Sequence, residues 1–431
     1  MKSYYFNSKN RSPIQDGSCD ERAFSSLLEL RKLSLEPSDK ILLKTDSVFN
    51  KQFIHLKNVD DITITSYGEG AKPIINAFGK CGFWYQDYGN PLDSPTHVYH
   101  GAVSSTINII DCNNISISNL EICNGYSREV NKKNYSDLNK LERTGVSVVA
   151  KDRGEMSGIK LEDLFIHDVY GNVYDKHMNN GGIYISALRP ERTRKVARFR
   201  SIHINRVTVV NVSRWGIAVG YTYAHKYFKG AELSSQVMDE YAHHDIFIEN
   251  SLVANAGGDG ITVFYSDKPI VRNNEAHFCA SEINDLVYKS NERKGKVAAG
   301  IWPWKCKDAL FTNNLVTSTC LNQDGVAYDA DSGDGTVYEN NFSWANSGGA
   351  IMFCLEEAIN SSYKNNISFD DRGGIFSPCS CPNGELSNNK IYKQEKVPFI
   401  RDKMGGGNYV EFDNTIITIK KGEVPKEIVK S

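Results

Sequence analysis

Short apolar pairs alternate with polar residues along most of the chain, separated by Asn, Asp and Gly. Ile62–Thr65, Ile115–Ser118, Ile159–Leu161, Ile202–Asn205, Ile246–Glu249 and Ala309–Thr312 share the two-residue period of a half-buried strand. Most are followed within a few residues by a second apolar pair, such as Leu120 with Ile122, Leu164 with Ile166 or Leu315 with Val316. A third segment opens on glycine: Gly181–Ile185, Gly216–Val219, Gly260–Val263, Gly300–Trp302, Gly325–Tyr328, Gly349–Met352 and Gly373–Phe376. Late in the chain an Asn pair recurs at Asn313–Asn314, Asn340–Asn341, Asn365–Asn366 and Asn388–Asn389, in steps of 27, 25 and 23 residues. About three short strands per repeat, with no helix, predict a stacked β-solenoid. One coil cannot bury its own apolar row, but coils stacked ~4.8 Å apart share a continuous core. Asn suits the bends because it tolerates the left-handed conformation and can stack into ladders. A β-sandwich has no reason for a fixed-period Asn pair. The fold class is therefore all-β, a single-domain parallel β-helix, right-handed by analogy with other solenoids of this kind.

The ends and interruptions divide this solenoid. Residues 1–52 read as an N-terminal cap and leading segment. Phe24, Leu27, Leu28 and Leu30 have helical spacing over Glu21–Leu33, Pro37 stops it, and a strand follows at Lys40–Lys44. A short capping helix would cover the open end of the first coil. Residues 53–395 form the β-helix that carries the site, and 396–431 a C-terminal cap or tail without a motif. Longer polar interruptions at 78–104, 124–144, 172–180, 221–244 and 281–297 are rich in Tyr and His. Such insertions tend to gather on one side of a solenoid and wall a groove.

Composition narrows the partners. With 50 basic against 52 acidic residues there is no basic stripe for a nucleic acid, and no run is long enough to span a membrane. The first ten residues lack the apolar core of a signal peptide, and the ten cysteines show no CxxC pair, so the chain reads as cytoplasmic with reduced thiols. Neither a metal nor another cofactor is expected.

The candidate chemistry lies in Gln323–Gly335, with four carboxylates in eleven positions. Alternation puts Val326, Tyr328 and Ala330 on one face, and Ala327, Asp329 and Asp331 on the other. Two neighbouring carboxylates repel, and one can then hold its proton at neutral pH, as a two-carboxylate glycosidase requires. The same residues also fit a calcium site or a polar turn. Strict alternation points Asp324 inward, but Gly325 permits a bend that returns it to the groove. Laying the coils over one another by the Asn-pair steps predicts an outward column Trp304–Asp331–Glu356 beside Trp302–Asp329–Cys354. Trp302 and Trp304 are then placed to stack on a sugar face, with Asp329 and Glu356 as further acids. His177, ahead of the strand at Gly181, is a third substrate-binding candidate.

The run Ala299–Trp304, with Asp324–Asp331 and Val337–Gly349 after it, resembles the β-helix glycoside hydrolases, above all the lacto-N-biosidase family. That resemblance implies a right-handed β-helix and a retaining mechanism in which two aspartates seven residues apart act as acid/base and nucleophile. The matching positions are Asp324 and Asp331 respectively. It is specific over residues 299–354 and leaves the sugar open. An oligosaccharide or small glycoside, cleaved from its end, is the expected substrate. Two other functions compete. One is a lyase acting on a uronate-containing glycan, with Lys305 or His177 as base; the other is a solenoid that binds glycan without turning it over.

Overall fold

In the computed structural model the chain winds into a parallel β-helix whose coils stack three long sheets side by side. The structure describes all residues except 93–98, 126–141, 174–175, 177, 284–296, 402–404, 427 and 429–431. Among the described residues the first sheet has 14 strands, from Ser3–Phe6 to Val410–Phe412. The second has 12, from Val48–Asn50 to Thr415–Ile419, and the third has 11, from Ile54–Lys57 to Phe376–Ser377. Among the described strand pairs all are parallel except one, in which Phe83–Asp87 runs antiparallel to His100–Ile110. The right-handed winding is the one that parallel crossovers favour. None of the described helices is long and apolar enough to cross a membrane.

The interior follows from the apolar alternation. In the third sheet Ile107, Val146, Ile183, Ile217, Ile261, Ile301, Tyr328 and Ile351 stand one above another in register, each fully buried. Burying such a side chain contributes roughly 1.5–3 kcal/mol, and no single coil could do it alone. The glycines that open these strands let adjacent coils close up. A Cβ at Gly300 would lie 2.3 Å from a Val316 methyl and 2.6 Å from the Ala327 carbonyl.

The Asn pairs do two different jobs. The first member takes the left-handed bend, with φ of 54°, 57°, 56° and 53° at Asn313, Asn340, Asn365 and Asn388. The second is buried and forms a ladder: Asn274, Asn314, Asn341, Asn366 and Asn389 each donate from the backbone N–H and from Nδ2 to the Oδ1 of the Asn one coil on, ending at Asn414. The other Nδ2 proton goes to a backbone carbonyl, that of Phe311 for Asn341 at 2.9 Å. The amide capacity of each rung is thus used inside the solenoid, where an unmet group would be costly.

One expectation changes at the N-terminal end. The capping helix predicted over 21–33 is two 3₁₀ turns, Asp20–Arg22 and Leu27–Lys32, rather than one α-helix. The Ser26 hydroxyl takes the Leu28 N–H and the Gln52 side chain takes that of Leu27, so local side-chain bonds outcompete a regular helical start. Strands of the solenoid sheets also run through both terminal segments, from Ser3–Phe6 and Lys40–Lys44 to Val410–Phe412 and Thr415–Ile419.

Candidate active site

Outside the third sheet, its strand residues carry a layer of aromatic rings. Tyr184, Trp215, Tyr221, Phe264, Tyr265, Trp302 and Trp304 pack ring on ring, with Phe228, Leu233 and Met238 of the 221–244 insertion laid across them. Through Trp302 this layer borders a cavity of about 510 Å³ lined by Lys176, Val297, Ala298, Ala299, Trp302, Gln323, Asp324, Asp329, Asp331, Cys354 and Leu355. Three of the four acids predicted in this region thus meet in one space. Lys176 comes from the insertion at 172–180 and Val297 from that at 281–297.

The strand Val326–Asp331 presents Asp329 and Asp331 to the cavity, while Tyr328 and Ala330 enter the core. Alternation fails at its start: Ala327 joins the inner core and Val326 the aromatic layer, because the chain bends into the strand there. Asp324 reaches the cavity from the turn before the strand. Gly325 supplies the bend, with φ of +68°. The turn is also long. The offset to the next coil is 27 residues in the strand at Leu315 but 23 at Val326, so four extra residues lie ahead of Val326. The turn is held by Arg401, whose guanidinium donates to the carbonyl oxygens of Asp324 and Gly348 at 2.6 Å and of Gln323 at 3.2 Å. Arg401→Ala is expected to lower kcat by about 10- to 100-fold with the substrate KM little changed, since the turn would lose its orientation. Steady-state kinetics on a cleaved glycoside checks this.

Register decides the remaining candidates. Trp304 stands opposite Asp331, as the 27-residue step predicts. The next step is 23 rather than 25 in this sheet, so Asp331 pairs with Cys354 and Asp329 with Met352. Glu356 is therefore displaced from the column. It lies exposed in the turn beyond the strand, outside the cavity, because two residues of that coil are spent after Cys354. Trp304 is also not among the lining residues; its ring is held by Tyr221, Phe264 and Tyr265 at 5.3, 5.7 and 5.3 Å between centroids. Trp302 does line the cavity. Its indole N–H donates to Asp259 at 2.9 Å, and the Lys176 ammonium sits 4.6 Å from its ring centroid. Asp259 in turn pairs with Arg214 at 3.0 Å, both fully buried. Lys305 forms an ion pair with Glu357 and donates to the Gly230 carbonyl, which removes it as a free base for lyase chemistry. His177 lies outside the described residues. Lys176, one position before it, lines the cavity with no sequence signal to mark it. Arg401, which holds the turn of Asp324 without lining the cavity, comes from a tail with no motif of its own.

The electrostatics single out Asp331. Burial pushes its carboxyl up to about 6; the Asp324 charge adds to this, while Lys176, the Ser332 hydroxyl and Lys305 oppose it. The Ser332 hydroxyl donates to it at 2.8 Å. An unfolded chain ionises this group near 3.8, so the folded state is favoured by it below pH about 4 and loses that contribution as pH rises through about 6. Asp331→Asn is accordingly expected to raise the melting temperature at pH 7.5 and to leave it unchanged at pH 4. Equal effects at both pH values would mean that burial does not hold the proton.

Comparison with known proteins adds family context. A lacto-N-biosidase from Bifidobacterium longum subsp. longum is 36% identical over 434 residues, which cover 90% of this chain and 27% of that protein. The chain thus spans about a quarter of that relative's length. The crystal structure of the native GH136 lacto-N-biosidase from Eubacterium ramulus superposes with a TM-score of 0.92 at 48% identity, covering 97% of this chain and 68% of that one. Its selenomethionine derivative superposes with a TM-score of 0.91. A family profile described as periplasmic copper-binding protein (NosD) matches residues 193–348, which are coils of the solenoid.

Proposed function

The chain belongs to the GH136 lacto-N-biosidase family, and from that premise we propose that it is a retaining, exo-acting glycoside hydrolase that releases a disaccharide of the lacto-N-biose type from the end of an oligosaccharide. The observation that carries this reading is the convergence of Asp324, Asp329 and Asp331 on one cavity beside Trp302. At about 510 Å³ that cavity lies within the ~300–1,000 Å³ of small-ligand pockets, which suits a terminal disaccharide better than a long polymer.

Asp331 is the nucleophile in this proposal. It attacks the anomeric carbon as the carboxylate, the form that Lys176 favours, so kcat/KM should fall on the acid side of pH about 6. Asp324 donates its proton to the leaving oxygen, then takes one from the water that frees the sugar from Asp331. Its seat in a turn fastened by Arg401, apart from the strand of Asp331, lets the two carboxyls approach the glycosidic bond from different elements. Asp329, one step deeper and 3% exposed, is a positioning acid that accepts sugar hydroxyls. Trp302 closes the apolar side of the same pocket.

The test is a panel of short oligosaccharides that end in lacto-N-biose, others that do not, and aryl glycosides, with the products separated and the anomer followed by NMR. Release of a disaccharide with retained configuration supports the reading. Monosaccharide release or an inverted product would replace its substrate or its mechanism. An unsaturated product would mean elimination instead.

A further inference from the structure

On the outer face of the second sheet, away from the cavity, two neighbouring coils bring together a set of donors that the solenoid does not need. Glu121 and Cys123 lie two apart on one strand, and His167 stands directly beside Cys123 on the next. His167 Nε2 is 3.1 Å from Glu121 Oε1 and 3.3 Å from Cys123 Sγ, and one donor atom from each of the three residues lies within 4.8 Å of the others. At the opposite edge of the ring, Nδ1 is 2.8 Å from Asp168 Oδ2. Asp168 sits at a left-handed bulge with φ of 52°, which folds its carboxylate back onto the ring of its own neighbour. Phe165 stacks on that ring at 4.5 Å and fixes its plane.

This arrangement is local rather than part of the repeat. In the next two coils the place of His167 is taken by Val210 and Ala254, and the bulge is occupied by Asn211 and Asn255. Nδ1 faces Asp168 and Nε2 faces the Glu121 carboxylate, while the Cys123 sulfur lies against the face of the ring, 3.3 Å from Nε2 and 3.8 Å from Nδ1. A small turn of the Cys123 side chain would bring its sulfur beside Nε2 and the carboxylate, where one cation could take all three. Separations of 3.1 and 3.3 Å approach those between ligands arranged tetrahedrally around an ion with bonds of ~2.0–2.3 Å. A carboxylate on the far nitrogen of a ligating histidine is the usual orienting partner in such sites.

We propose that Glu121, Cys123 and His167 form a transition-metal site for which zinc is the fitting ion, with Asp168 as the positioning residue and a water in the fourth place. Sulfur, imidazole and carboxylate together suit this borderline ion, whereas calcium and magnesium prefer oxygen alone. On binding, the Cys123 thiol releases its proton to solvent and the thiolate takes the ion. The ion would link strands 44 residues apart in sequence, clamping one coil to the next.

The test uses the full chain, stripped with a chelator and titrated with cobalt(II) as a spectroscopic probe, with zinc then added in competition. The expected result is one equivalent bound, with a thiolate-to-cobalt band in the near ultraviolet that zinc abolishes. Cys123→Ser should remove the band, Glu121→Gln should weaken binding at least tenfold, and Asp168→Asn should weaken it 10- to 100-fold. Glu121 is partly exposed, so its variant keeps the question answerable if Cys123→Ser fails to fold. The control is Cys354→Ser, because Asp329, Asp331 and Cys354 also cluster within 4.8 Å in the cavity. A band that survives Cys123→Ser but vanishes in Cys354→Ser would overturn the proposal, as would the absence of stoichiometric binding. In either case His167 would be a ring held by hydrogen bonds between two carboxylates.

Discussion

Asp331→Asn and Asp324→Asn are each expected to lower kcat on an unactivated oligosaccharide by about a thousandfold or more, without loss of fold. Removing a positioned proton donor typically costs ~10²–10⁴-fold, and removing a nucleophile costs at least as much. The two losses should differ in kind. With an aryl glycoside whose leaving group needs no proton, Asp324→Asn regains its first step and accumulates the glycosyl-enzyme, seen as a burst of phenol. Asp331→Asn has no such rescue, because the group that would hold the sugar is gone. Azide separates them further: it should restore turnover to Asp324→Ala with a product of retained anomer, and to Asp331→Ala with an inverted one. The opposite pattern would exchange the two roles. Unimpaired turnover in both variants would remove the site altogether.

The second large effect concerns Asp259, which touches no substrate. Its carboxylate meets Arg214 at 3.0 Å with both side chains fully buried, and it also accepts from Trp302 Nε1 at 2.9 Å and the Ala299 N–H at 3.1 Å. Asp259→Ala leaves a buried guanidinium without its carboxylate, a change that costs about 3–5 kcal/mol. Chemical denaturation should show this loss, together with a raised KM from a Trp302 that has lost its anchor. Asp259→Asn separates the two effects. An amide oxygen can still take the indole N–H, so KM should recover while most of the stability loss remains. A KM that stays raised in Asp259→Asn would mean that the charge itself, rather than the indole anchor, serves the pocket.

Much of this architecture is legible in the sequence, because the solenoid repeats its chemistry at short range. Alternation marks the strands, the Asn pairs mark the bends, and a 27-residue step places Trp304 beside Asp331. The step of 25 fails one coil later because it was counted at the Asn bend. The turns on either side of the site differ in length, so the offset there is 23 and Cys354 takes the place expected for Glu356. Asp324 shows the same limit from the other direction. Its position follows from a turn lengthened by four residues and pinned by Arg401, 77 residues away. Nothing near Arg401 marks it, since a backbone carbonyl as partner requires no particular residue opposite. Lys176 is hidden for a related reason: it acts through charge over Trp302 and Asp331 from an insertion with no period.

The buried Asn ladder bears on how such a chain can change its length. Each rung addresses the amide of the rung beyond it, whatever number of residues lies between. The distances along the chain are 40, 27, 25, 23 and 25, yet the bonds stay between 2.8 and 3.2 Å. The molecule therefore keeps its alignment by counting turns of the spiral. Segments that carry chemistry are free to lengthen or shrink between rungs, as the turn bearing Asp324 has done, while the spine beneath them keeps its pitch. A whole turn gained or lost between two such asparagines would leave the remaining bonds intact, which gives a lineage of these proteins a route to remodel a pocket without redesigning the body that holds it.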